Sequence, residues 1–162
     1  MSHWKDLTDD QVRDLIWDDV RNLRTRFNSD SFDVVTCNPP YFKTKNSKFL
    51  NDNDVKTLAR HEVTLNLDDV LKQASYLLKS GGIFAMVHRT ERFVEILDVM
   101  RKYNLEPKKV RFIYPKCSKD SDLFLIEGIK NGNSGMKLLA PLIVHNEDNT
   151  YTEDVLEMLK FE

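Results

Sequence analysis

Two hydrophobic periods alternate along the chain, and they predict most of its elements. Phe32-Asp33-Val34-Val35-Thr36-Cys37 is nearly continuous in apolar and β-branched residues, which predicts a strand buried on both faces, as in a parallel sheet. Asn38-Pro39-Pro40 ends it, because proline cannot donate to a ladder and keeps its predecessor out of helical geometry. The period then changes. Val70, Leu71, Ala74, Leu77 and Leu78 share one helical face, with Asn66 as N-cap, Asp68 and Asp69 in the first turn, and Gly81 or Gly82 to close the helix. Residues 83–87 form a short apolar strand. Residues 91–103 return to helical spacing through Phe93, Ile96, Leu97 and Met100, and Pro107 keeps that helix from continuing.

Residues 109–114 alternate, with Val110, Phe112 and Tyr114 on one side, as a half-buried strand does. Residues 123–129 predict another strand, 131–135 a turn, and 137–144 an extended stretch interrupted by Pro141. A short helix over 152–159 closes the chain. Residues 43–54, polar and rich in Asn and Lys, read as a loop. The opening segment is ambiguous. Val12, Leu15, Ile16, Val20 and Leu23 have helical spacing, while 12–17 equally suits a strand ending at Asp18-Asp19.

The order strand, helix, strand, helix, strand, strand predicts an α/β architecture. Ligands of open α/β sheets bind at the carboxyl rim of the strands. Asn38 to Phe42 and His88-Arg89 fall on that rim, and their convergence is the first functional signal.

Composition narrows the class without naming a chemistry. At 162 residues, 41% hydrophobic and 31% charged, the chain suits one globular domain with a sizeable core. A formal net charge of −2 gives no whole-molecule field for nucleic acid, so any such role rests on local basic patches. Cys37 and Cys117 are too few for a disulfide framework and predict reduced thiols. No apolar signal core opens the chain and no long apolar run crosses a membrane; the expectation is a soluble, cytoplasmic protein. His3, His61, His88 and His145 are scattered, neither cysteine has a partner at ligand spacing, and no metal is expected.

Asn38-Pro39-Pro40-Tyr41 carries the sharpest chemistry. The lone pair of an exocyclic amine is delocalised into its ring, so the amine is a poor nucleophile. Acceptors aimed at its two N–H bonds favour a pyramidal nitrogen that can attack. An Asn side-chain oxygen and a backbone carbonyl held by a rigid Pro-Pro turn supply them, and Tyr41 supplies a ring to stack on the base. The reaction is then positioning plus electrostatics, with no strong base required. The bland reading is an Asn-Pro turn capping a strand, and Asn-Pro alone would be weak evidence against it.

The run Asp-Val-Val-Thr-Cys-Asn-Pro-Pro-Tyr-Phe over residues 33–42 resembles motif IV of amino methyltransferases. It looks closest to the bacterial family that N6-methylates the adenine beside the anticodon of a valine tRNA. Ala59-Arg60-His61-Glu62, residues 77–82, Met86-Val87-His88-Arg89, residues 101–107, residues 141–144 and Tyr151-Thr152 also look like that family, so the resemblance covers about residues 12–160. It implies that Asn38 and the Pro39 carbonyl hold the target amine, Pro40 stiffens the turn, Tyr41 stacks on the base and Phe42 adds apolar wall. It implies S-adenosylmethionine as cofactor, with Asp19 and Asn38 facing it, and tRNA as substrate. It also favours strand over helix at 12–17.

The Gly-rich cofactor loop of such enzymes has no counterpart among Gly81, Gly82, Gly128, Gly132 and Gly135. The expectation is therefore an incomplete Rossmann-like class I methyltransferase fold: one partial domain over 1–162, a mixed sheet lacking the first two strands, and an incomplete cofactor site. A truncated product is favoured over a natural short protein that has lost catalysis, and weak or absent binding of S-adenosylmethionine is expected. The strand at 32–37 then offers an open edge for self-association.

Other positions are weaker. Lys43, Lys45 and Lys48, with Arg60, Arg89, Arg92, Lys108, Lys109 and Arg111, suit either RNA phosphates or ordinary solvated surface. His61-Glu62 suits a substrate contact or a structural pair, and His88-Arg89 a rim contact or a cap. Two other functions fit the same tetrapeptide: methylation of a protein glutamine amide, and a non-catalytic RNA- or protein-binding role.

Overall fold

The computed structural model describes residues 19–39 and 66–160. Within them lies a mixed α/β structure around one six-stranded sheet. The elements are a single 3-10 turn at Val20–Asn22, α1 (Leu23–Arg26), β1 (Phe32–Cys37), α2 (Leu67–Leu77), β2 (Leu78–Arg89), a second 3-10 turn at Thr90–Arg92, α3 (Phe93–Lys102), β3 (Leu105–Tyr114), β4 (Leu123–Lys130), the two-residue strands β5 (Lys137–Leu138) and β6 (Leu142–Ile143), and α4 (Glu153–Met158).

The sheet order is β1-β2-β4-β3-β5, with β6 also on β3. β1 and β2 run parallel, from Phe32↔Leu78 to Cys37↔Met86, so their carboxyl ends share one rim, as the sequence predicts. β4 is antiparallel to both its neighbours. The region 12–17 lies outside the described residues.

α2 begins where its cap predicts. The Asn66 side chain accepts from the Asp69 N–H at 2.7 Å, satisfying one of the helix's orphan donors. Its end differs from the expectation. The helix stops at Leu77, and Leu78 is already the first residue of β2. Gly81, at φ +82°, turns the strand, and neither it nor Gly82 closes the helix. The register shift between Phe32 and Val34 matches that turn: β2 spends extra residues there against β1.

α3 ends at Lys102, and Asn104, just past its cap Tyr103, takes the left-handed region at φ 58°, a conformation asparagine tolerates. Pro107 sits beyond this stop as a buried member of β3, at a bulge between Pro107 and Lys109. Pro141 splits the predicted extended stretch into β5 and β6.

Both long helices contribute to the core on the sheet's inner side. Leu67, Leu71 and Ala74 of α2 and Ile96 and Met100 of α3 cluster with Phe84, Met86, Val110, Phe124 and Ile126 from the strands. Phe93 stands edge-on to Phe124, with ring centroids 5.0 Å apart. Gly128 in β4 leaves room for Met100; a Cβ there would collide with the methionine's terminal methyl.

The outer side departs from the expectation that Phe32–Cys37 is buried on both faces. Val34 is 52% exposed and Thr36 also faces solvent, while Val35 and Cys37 turn inward. Sheet parity places Val34, Ile83 and Leu125 together on this exposed side.

Candidate active site at the carboxyl rim

Asn38 and Pro39 follow β1 directly, one step past the Cys37↔Met86 pair, so the register carries them alongside Val87 and His88. Asn38 is exposed and Pro39 buried. The arrangement follows from the strand: pairing with β2 fixes the backbone up to Cys37, and the ring of the buried Pro39 fixes its own φ just after Asn38. The amide thus projects at the rim from a backbone with little freedom to reorient.

His88 and Arg89 end β2 on opposite faces, as successive strand residues must. His88 points inward and is only 2% exposed. Its Nδ1 accepts the Arg89 N–H at 2.8 Å, which puts the neutral ring's proton on Nε2. Burial pushes the imidazole below its ordinary value, and the Arg92 guanidinium pushes in the same direction. His88 is therefore a neutral, inward-facing group. Arg89 is exposed on the outer face.

The rim is held from a side that sequence reading does not reveal. The Thr90 N–H donates to the Asp122 carbonyl at 3.0 Å, and the Thr90 hydroxyl donates to the Ser121 carbonyl at 2.8 Å. Ser121 Oγ lies 2.8 Å from the Ile113 carbonyl and 2.9 Å from that of Leu123, closing the β3–β4 connection on itself. Arg92 pairs with Glu95 at 2.6 Å, holding that carboxyl below its usual range. No motif flags these contacts, because Thr90 and Ser121 stand 31 residues apart.

Asp19 caps the first 3-10 turn, and its carboxylate accepts from the Arg21 N–H and from the Arg21 guanidinium, the first two contacts both at 2.9 Å. Pro40, Tyr41, Phe42, Lys43, Arg60 and His61 lie outside the described residues. The structure therefore brings Asn38, Pro39, His88 and Arg89 to one rim, with only Asn38 and Arg89 exposed there.

Among the described residues, the fit to S-adenosylmethionine is poor. Both Asp19 oxygens are engaged by Arg21, and none of Gly81, Gly82, Gly128, Gly132 and Gly135 forms a Gly-x-Gly loop after a strand. No group of three or more His, Cys, Asp or Glu able to hold a metal occurs among the described residues. No helix among them is long and apolar enough to cross a membrane.

The fold defines a class. The chain superposes on a predicted O-methyltransferase of Agrobacterium tumefaciens with a TM-score of 0.66 at 21% identity, covering 86% of this chain and 59% of that one. This likeness is one of fold, a Rossmann-like α/β sheet.

Sequence similarity points more narrowly. The chain is homologous to several curated proteins named tRNA1(Val) (adenine(37)-N6)-methyltransferase. That of Parabacteroides distasonis is 33% identical over 97 residues, 59% of this chain and 39% of the relative. Those of Aeromonas hydrophila and Bacteroides fragilis are 26% and 27% identical over 130 and 140 residues, covering 78% and 85% of this chain and 52% and 58% of the relatives. The chain spans about half the length of these relatives, or less. No family model matches it.

Proposed function

We propose that this chain is the target-base part of an S-adenosylmethionine-dependent methyltransferase that modifies the N6 amine of an adenine in tRNA. The observation that carries the reading is an exposed Asn38 locked at the carboxyl rim by a buried Pro39. The names of the curated homologues supply the substrate class.

The bound cofactor would supply an electrophilic methyl group. The chain's own residues supply acceptors. The Asn38 side-chain oxygen takes one amine N–H and the Pro39 carbonyl the other, drawing the nitrogen toward a pyramidal geometry with its lone pair free. The target base must leave its stack to reach this rim; Tyr41 stacks on the base and Phe42 walls it. Arg89 suits a phosphate beside the flipped base. His88 is buried, and its part is to hold the β2 end in place beside the Asn38-Pro39 turn.

The test is transfer of a tritiated methyl group to unmodified valine tRNA from S-adenosylmethionine at millimolar concentration, which offsets the poor fit of the described residues to the cofactor, with digestion to nucleosides. The expected product is N6-methyladenosine. Asn38→Ala should lower the rate by about 100-fold or more, the usual effect of deleting one positioned polar group at the reacting centre. Label in protein glutamine would overturn the adenine reading, and a variant as fast as the parent would remove Asn38 from the chemistry.

A further inference from the structure

At the opposite pole of the sheet, where β1 and β2 begin, lies an open cleft of about 430 Å³ with a different character. Arg24, Lys72, Lys102 and Lys130 line it, with the rings of Tyr76 and Tyr103 between them. The carboxylates that answer these four cations are Asp30, 2.8 Å from the Lys130 ammonium, and Asp68, paired with Lys102. Two positive charges are left in excess. One sits on Lys72, which makes no ion pair among the described residues. The other sits on Arg24, whose guanidinium lies 4.4 Å over the Tyr76 ring and donates to Gln73, a neutral acceptor. Neither contact cancels its charge.

The cleft is also stiff. Lys130 donates to the Leu78 carbonyl at 2.7 Å as well as to Asp30. The Tyr103 hydroxyl donates to Asp68 at 2.7 Å. The Asn131 N–H donates to the Asn104 carbonyl at 2.8 Å, and Asp30, Asn104 and Asn131 each hold a left-handed turn at this pole. The Asn104 amide lines the cleft and makes no side-chain hydrogen bond among the described residues. Preformed excess cations, a vacant amide and aromatic rings together favour a phosphate-bearing ligand.

We infer that this cleft is a phosphate-binding anchor for the RNA substrate, separate from the carboxyl rim. The inference rests on the proposed function for its choice of RNA over a free nucleotide. β1 alone separates the Asp30 turn from Asn38, a span on the order of 25 Å at strand rise. A mononucleotide cannot reach both sites, whereas a folded RNA can lay its backbone across one pole while a loop base enters the other. None of the four cations belongs to the Asn-Pro motif, and they come from α1, α2, α3 and β4.

The experiment is fluorescence-anisotropy titration of the full chain with a labelled RNA stem-loop over a range of salt, for the parent, Lys72→Glu and Lys72→Arg. Lys72 is exposed on α2, so neither change disturbs the core. Lys72→Glu should weaken binding about tenfold and flatten the salt dependence by about one unit of log–log slope, with Lys72→Arg close to the parent. Equal affinities for all three would overturn the anchor, as would no RNA binding by the parent. Adenosine monophosphate is the competitor that separates the two sources of phosphate. Failure to displace the RNA at equal phosphate concentration supports an RNA anchor; displacement would keep the phosphate site but overturn RNA as its occupant. Lys72-dependent binding with no methyl transfer at millimolar S-adenosylmethionine would sink the catalytic reading and leave the anchor standing.

Discussion

The two faces of the sheet are made from the same strands and have different fates. On the inner face Phe84, Phe124, Met86, Val110 and Ile126 are at most 2% exposed beneath α2 and α3. On the outer face Val34, Ile83 and Leu125 are 52%, 37% and 40% exposed. All eight are apolar strand residues of similar intrinsic preference. What separates them is whether a helix has been laid over the face, a tertiary fact that strand propensity does not contain. Among the described residues the core lies on one side of the sheet, while on the other Val34, Ile83 and Leu125 stand exposed among Thr36 and the Lys109–Glu127 ion pair.

That contrast can be broken most sharply from the inner side. Phe124→Ala removes a fully buried ring that packs against Phe93, and should cost about 3–5 kcal/mol in a urea melt. A loss below about 1 kcal/mol would mean the inner face is not the core described here.

A second, smaller effect reads the inner face through pH. His88 is buried neutral and its folded-state value lies below the ordinary one of about 6.5. Below that value the unfolded chain takes up a proton that the folded chain resists. The His88 contribution is thus complete above about pH 6.5 and is lost as pH falls from there toward the folded-state value. Glu95 and Asp68, held low by Arg92 and Lys102, lose theirs only in the more acidic carboxylate range. Urea midpoints at pH 7.5 and 5.5 should differ in the parent and differ less in His88→Gln; the same drop in both proteins would place the titration elsewhere.

The smallest effect belongs to the outer face. Leu125→Ser should change stability by no more than about 0.5 kcal/mol, the ordinary result at an exposed site. A loss comparable to that of Phe124→Ala would show that Leu125 is covered in solution.

Much of this was legible in the residues. The alternation of apolar periods marked β1, α2, α3, β3 and β4, and the Asn66 cap falls on the predicted residue because its requirements are local. The misreadings have a common origin. Gly81 and Gly82 look like a helix stop, but the chain turns extended at Leu78, where pairing with Phe32 across the intervening segment outweighs the local signal. Val34 looks buried because valines in an apolar run carry no record of what covers them. The resemblance to tRNA adenine methyltransferases, read from residues 33–42 and the segments after them, agrees with the curated relatives. Of the rim residues, His88 was legible as a position but not as a buried, neutral one. The Thr90–Ser121–Asp122 support and the Lys72 cleft were invisible, since each is assembled from residues that only the finished topology brings together.

The sheet order also sets a timetable. β3 and β4 are joined by a short connection and are antiparallel, a pairing that closes in microseconds. β1 reaches β2 only after a loop of about 40 residues has been closed, and contacts of that range come late. Asn38 rides on the end of β1. The acceptor we propose for the target amine is then set in place only once β1 has docked on β2. A chain in which β2, β4 and β3 have paired but β1 has not would keep most of the sheet and lack the rim that Asn38 shares with His88.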